Sequence, residues 1–192
     1  YLNSPESPVF SKGKVLYGLY EGLASLRSSR RAVLMEGYMD VMAAHQFWLG
    51  EASAPLGTAL TGDHAEILRR YSDQVVVLFD PDEAGAEASL RGASILLGSG
   101  LSVRVARLEG GLAPDEHLHR HGVESFRKCL ETSRDLVTFE LDSALRGREA
   151  GAVPAEERVR IATRMLGTLS LQPSALLRDE WLKGIAERLK LD

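Results

Sequence analysis

The chain has 192 residues, 44% of them apolar and 26% charged, and 27 acidic against 23 basic side chains give a net charge of −4. Such a composition is that of an ordinary soluble globule able to bury roughly 70% of its unfolded surface, so one domain, or one with a small appendage, is expected. No apolar run approaches the ~18 residues of a membrane span and no signal-peptide pattern opens the chain. Cys129, the single cysteine, excludes an internal disulfide and fits a reducing cytoplasm. The negative balance disfavours non-specific polyanion binding over the whole surface but leaves room for a basic path beside an acidic site.

Residues 1–30 begin on Tyr1 rather than Met, as an excised fragment would, and open with turn chemistry at Asn3, Ser4, Pro5 and Pro8. No long periodic element precedes Val15. Lys12, Lys14, Arg27, Arg30 and Arg31 alternate with Phe10, Tyr17 and Tyr20. Such a pattern suits either a strand-holding or phosphate-holding surface or a solvated face over a few core aromatics.

From Arg31 the pattern becomes regular. A strand at 31–36, a helix at 38–49, a short strand at 52–55, a turn at Leu56 and Gly57, and a helix at 62–71 capped by Thr61 are expected in turn. A strand at 74–80, a helix at 83–97 closed by Gly98 and Gly100, and a strand at 102–108 follow. This βαβα alternation with short loops predicts an α/β fold, a mostly parallel sheet covered by helices on both faces. The Gly-rich connection 109–114 leads to helices at 115–121 and 123–131. Helices at 135–147, 154–170 and 174–190, separated by Gly147, Gly151, Pro154 and Pro173, predict a small helical bundle at the end. The domain division expected is therefore 1–30, 31–132 and 133–192.

Two apolar runs stop abruptly at acid. RAVLMEGYMD (31–40) delivers Glu36, then Gly37 for a tight turn, then Asp40 in the first turn of a helix, where a carboxylate suits the dipole. QVVVLFDPDEAG (74–85) delivers Asp80 and Asp82, two apart on extended chain and so on one side. Asp115 and Glu116 form a third acidic strand-end. If the first two strands are parallel neighbours, their acids surround one crevice. Two carboxylates 5 Å apart at an effective dielectric near 20 repel by roughly 3 kcal/mol, so such a gathering calls for a cation. An all-oxygen donor set points to Mg²⁺ or Mn²⁺ rather than zinc. His117, His119 and His121 are weighed as ligands but lack HExxH spacing, and a solvated face is the preferred reading. Arg158, Arg160 and Arg164 read as surface charge before nucleic-acid contact. No GxGxxG, Walker loop or paired CxxC occurs.

EGYMD (36–40), LFDPDEAG (78–85) and APDE (113–116) resemble the three acidic motifs of a TOPRIM domain, a Rossmann-like fold. With YLNSPESPVFSKGKVLYGLYEG before them and LGTALTGDH (56–64) between, the chain resembles bacterial DNA primase of the DnaG type over nearly its whole length. The resemblance implies Glu36, Asp80 and Asp82 as catalytic metal ligands, with Asp40 and Asp115 in support. It also implies that Lys12 and Lys14 meet template or nucleotide and that Gly57 and Thr58 lie near the site. Synthesis of short RNA primers from ribonucleoside triphosphates on a single-stranded DNA template follows, in the cytoplasm, with Mg²⁺ or Mn²⁺. A replicative helicase is an implied partner through a domain outside this chain, and no membrane is involved.

The third motif departs from the family's Asp-Pro-Asp, with Ala113 in the first place, and a second metal should suffer more from that than a first. With the family's zinc-binding domain and the first part of its polymerase core missing, the fragment is expected to bind metal and nucleotide better than it makes primers. Other readings are a dehalogenase-type phosphatase, disfavoured because Glu83 and Ala84 stand where Gly-Thr would follow, another TOPRIM enzyme such as a nuclease or topoisomerase, and a non-catalytic metal- and nucleic-acid-binding module.

Overall fold

Short valine-rich runs form the sheet. In the computed structural model, which describes residues 5–78 and 83–191 and only the backbone of 83–89 and 109, the chain divides into two compact units, Tyr1–Ser133 and Arg134–Asp192. The first holds strands β1 (Leu16–Tyr17), β2 (Arg31–Leu34), β3 (Ala52–Pro55), β4 (Gln74–Leu78) and β5 (Ser102–Ala106), in the spatial order β1-β3-β2-β4-β5. β2 runs parallel to both β3 and β4, and β4 parallel to β5, whereas β1 lies antiparallel on β3 with Leu16 opposite Pro55. Adjacent parallel strands require crossovers, and each is a helix.

Among the described residues, helices α1 (Leu19–Ser29), α2 (Tyr38–Gln46), α3 (Gly62–Tyr71), α4 (Glu83–Gly98) and α5 (Pro114–Glu131) complete this unit. The register places Val33 opposite Val76, and these side chains with Met35, Leu78 and Ala106 form one face. Val41, Ala43 and Ala44 of α2 and Leu118, Phe126 and Leu130 of α5 close over it. Strand alternation turns Ala32, Leu34, Val75, Val77, Val103 and Val105 to the other side, equally buried. α1 and α4 pack on the strands and α3 packs between them. Both faces are thus covered, as the near-continuous apolar strands require.

Several elements differ from expectation. β1 and α1 were not anticipated, since β1 has two residues and α1 carries Gly22, Ser25, Ser28 and Ser29, all poor helix formers. Packing explains the helix: a Cβ on Gly22 would lie 2.2 Å from the Gly50 carbonyl oxygen, so only glycine lets the two segments meet. α2 ends at Gln46 rather than 49, because Trp48 adopts a φ of 63°. β5 ends at Ala106, short of 108, ahead of a 3₁₀ turn at Glu109–Gly111. The two helices expected at 115–131 form one element broken at Gly122, which has φ 75° and ψ 173°.

The second unit contains a two-residue strand, β6 (Arg134–Asp135), and helices α6 (Leu136–Leu145), α7 (Ala155–Leu171) and α8 (Ala175–Leu189). Val137, Leu141 and Leu145 of α6, Ile161, Met165 and Leu169 of α7, and Ile185 and Leu189 of α8 form its own core. Asp135 caps α6 by accepting the Thr138 N–H, and Ser174 caps α8 through Leu177. Among the described residues no helix is long and apolar enough to cross a membrane.

Candidate metal centre

Because β2, β3 and β4 run parallel, the three strands end on the same edge of the sheet. Glu36 leaves β2 two residues after Leu34 and is exposed. It lines a cavity of about 380 Å³ together with Gly57 and Thr58 from the segment after β3, over a floor of Leu34, Val77 and Leu78. The structure therefore brings Glu36, Gly57 and Thr58 to one cavity. Gly57 has a φ of 62°, so the turn there favours glycine.

Asp40 sits in the first turn of α2 and joins two helix starts. Its Oδ2 accepts the Gly37 N–H at 3.3 Å and its Oδ1 accepts the Asp115 N–H at 3.3 Å. Asp115 in turn accepts the Glu116 N–H at 2.8 Å. Asp115 thus stands in the first turn of α5 rather than on a strand-end, and two helix N-termini supply the positive field for these acids. Gly37 serves differently from expectation: its φ of −109° is open to any residue, but a Cβ there would come within 2.9 Å of Asp40 Oδ2. Ala113 occupies the N-cap of α5 with no side-chain cap, a position at which Asp is strongly preferred.

Lys12 and Lys14 lie on a 3₁₀ turn held from beneath by the start of α3. Thr61 Oγ1 accepts the His64 N–H at 3.2 Å and donates to the Gly13 carbonyl at 2.6 Å. His64 is fully buried. Its Nδ1 accepts the Thr61 N–H at 3.2 Å, which leaves Nε2–H to donate to the carbonyls of Lys12 at 2.8 Å and Val15 at 3.1 Å. The neutral Nε2–H tautomer satisfies all of these at once. Sequence reasoning found Thr61 as a cap but missed His64, whose only signal is its place three residues after the cap.

The remaining cations of the N-terminal basic run are engaged elsewhere. Arg30 makes a two-point contact with Asp73, at 2.5 and 3.0 Å, and that hydrogen bonding holds the Asp73 carboxyl below its usual range. Arg31 pairs with Glu51 at 2.9 Å, and the Arg27 guanidinium lies 5.6 Å from the centre of the Tyr71 ring. Arg31 opens β2 while Glu36 follows it, about 17 Å along the strand. The histidines also have structural places. His117 is 3% exposed, against a solvated reading, and pairs through Nε2 with Ser125 Oγ at 3.1 Å, while His119 packs edge-on to Phe47.

Among the described residues no group of three His, Cys, Asp or Glu side chains stands close enough to hold an ion. Asp80 and Asp82 lie outside the described residues. The described candidates, Glu36, Asp40 and Asp115, offer carboxylate oxygens with backbone N–H groups behind two of them, a donor set suited to a hard divalent cation and not to zinc.

Residues 33–118 match the Toprim-like family model. The DNA primase of Halalkalibacterium halodurans is 38% identical over 192 residues, covering 100% of this chain and 32% of the relative, and that of Geobacillus stearothermophilus is 36% identical over 191 residues, again covering 32% of the relative. The E. coli primase catalytic core superposes over 100% of this chain and 62% of its own with a TM-score of 0.87 and 33% identity. The chain is thus similar over its whole length to bacterial DNA primases. It spans about a third of the length of the curated relatives it matches. A DnaG primase catalytic domain bound to ssDNA shares the fold at a TM-score of 0.87 and 32% identity, covering 100% of this chain and 61% of that chain.

Proposed function

We propose that this segment supplies the metal-holding and nucleotide-holding half of a template-directed RNA polymerase that makes short RNA primers on single-stranded DNA. The observation that carries the reading is the parallel pairing of β2 with β4, Leu34 opposite Val77, because both strands then end at the sheet edge where Glu36 stands. The ssDNA-bound DnaG domain and its 32% identity to this chain support a DNA template as partner. Ribonucleoside triphosphates are the substrates this family's activity needs.

Glu36, Asp80 and Asp82 are assigned as the ligands of Mg²⁺ or Mn²⁺, with Asp40 and Asp115 in support. A divalent cation held by these carboxylates would supply Lewis-acid chemistry, favouring ionisation of a primer hydroxyl and offsetting charge on pyrophosphate. Asp40 fixes the angle between the starts of α2 and α5 and so orients the acids. Gly57 and Thr58 wall the cavity beside Glu36. Lys12 and Lys14, steadied by His64 and Thr61, present cationic groups to template or nucleotide phosphates. Helicase contact is assigned to a part of the primase outside this chain.

Calorimetric titration of the 192-residue chain with a ribonucleoside triphosphate, with and without Mn²⁺, tests the proposal. Binding should require Mn²⁺ and weaken in Lys12→Ala. Equal nucleotide affinity with and without the cation would overturn it. Ala113 supports a second reading, a non-catalytic module, since this corner has one carboxylate fewer than the family pattern. Ribonucleotide incorporation on an unprimed single-stranded template separates the two.

A further inference from the structure

In the second unit acidic and basic side chains are equal in number, yet they are not evenly matched in space. Arg134 and Arg188 share Asp142. Arg158 donates to the carbonyls of Leu189 and Lys190 at 2.8 and 2.7 Å, which satisfies the end of α8. Arg178 donates to the Gln172 carbonyl at 2.6 Å, and Lys183 pairs with Glu180 at 3.2 Å. Arg146, Arg160 and Arg164 are all exposed and make no ion pair among the described residues.

All three line one groove of about 840 Å³ between α6 and α7, with Arg148, Glu157 and Ser143. Arg146 occupies the left-handed position that ends α6, with φ 50°, and Arg160 and Arg164 stand one turn apart on α7. Glu157, the acid on this groove wall, is spoken for by Arg148, whose guanidinium binds both carboxylate oxygens at 2.6 and 3.3 Å. Arg164 also favours the charged form of Glu140, whose pKa burial raises. Arg146 and Arg160 also act on Glu157 through space, yet the groove wall carries four arginines to that one acid, and this excess of positive charge favours an anion between them.

We propose that this groove docks the sugar-phosphate backbone of single-stranded DNA, giving the segment a second nucleic-acid contact remote in sequence from Lys12 and Lys14. Guanidinium forks suit phosphate oxygens. An open trough with no aromatic wall offers nothing on which a base could stack, so backbone contact without sequence preference is expected. The inference rests on the reading of single-stranded DNA as template.

The test is the salt dependence of binding of a fluorescent oligo-dT to the 192-residue chain, by anisotropy between 50 and 200 mM salt. Each phosphate contact contributes about 0.7 to the slope of log K against log salt for a single strand, so the triple variant Arg146→Ala, Arg160→Ala, Arg164→Ala should lose about 2 from it. The corresponding triple Lys variant should keep the slope, and near-equal melting temperatures would show that both are folded. Lys12→Ala should lose about 0.7 independently. An unchanged slope in the alanine triple with a lowered one in Lys12→Ala would overturn this groove and leave the proposed function standing, whereas no binding by the parent chain would overturn both. Inorganic phosphate is the competing anion. Its displacement of the oligomer at constant ionic strength, in the parent chain and not in the alanine triple, would mark a small-anion site and contradict backbone docking.

Discussion

The two ends of β2 and β4 carry charge in opposite ways. At their N-terminal end Arg30 meets Asp73 and Arg31 meets Glu51, cation against anion, and Arg27 lies against Tyr71. At the C-terminal end the described acids meet backbone instead: Asp40 accepts the N–H groups of Gly37 and Asp115, and Asp115 that of Glu116, at two helix starts. Opposite charges in contact need nothing further. Carboxylates held by backbone N–H groups keep their formal charge, which suits a cation from outside, and at this end Glu36 also lines a cavity.

That contrast can be broken in steps. The largest effect expected is that of Glu36→Gln, which should weaken Mn²⁺ binding about 100-fold or more by calorimetry, on the scale at which even the outer partners of metal ligands matter. The same variant should melt no lower than the parent without metal, since it relieves repulsion. His64→Ala comes next: it strips hydrogen-bond partners from the Thr61 N–H and the Lys12 and Val15 carbonyls, and should lower stability by about 3 kcal/mol in urea unfolding. His64→Ala should also weaken oligo-dT binding, with His64→Gln recovering part of the stability. Ala113→Asp supplies the missing cap of α5 and one more acid to this end. A gain of about 1 kcal/mol is expected, with tighter cation binding. The smallest effect belongs to Arg30→Ala at the paired end, where the contact with Asp73 is exposed to solvent. Mn²⁺ and DNA affinities should be indistinguishable from the parent's.

The sheet was legible because Val75, Val76 and Val77, like Ala32, Val33 and Leu34, form apolar runs too short for a lone helix and bounded by turns. α1 was not, because its helix rests on the close approach of Gly22 to Gly50, a contact between segments that local pattern does not carry. For the acids, the abrupt end of an apolar strand at Glu36 and the position of Asp40 could be read directly. That Asp40 would accept an N–H from Asp115 could not, since it depends on where α5 begins in space. The basic run shows the limit most plainly. Lys12 and Arg30 look alike in sequence, yet one lies on a turn tied to α3 and the other is bound to a carboxylate 43 residues away. His64 was invisible for the same reason, its partners Lys12 and Val15 lying 52 and 49 residues earlier.

The most direct test is anomalous diffraction from crystals of the chain soaked in Mn²⁺, which locates and counts ions without assuming turnover. A peak bounded by Glu36, Asp80 and Asp82 is the predicted result, with a second, weaker peak towards Asp40 and Asp115 if the corner bearing Ala113 still holds an ion. Full soaking with no peak in that crevice would contradict the assignment of these acids as a metal centre.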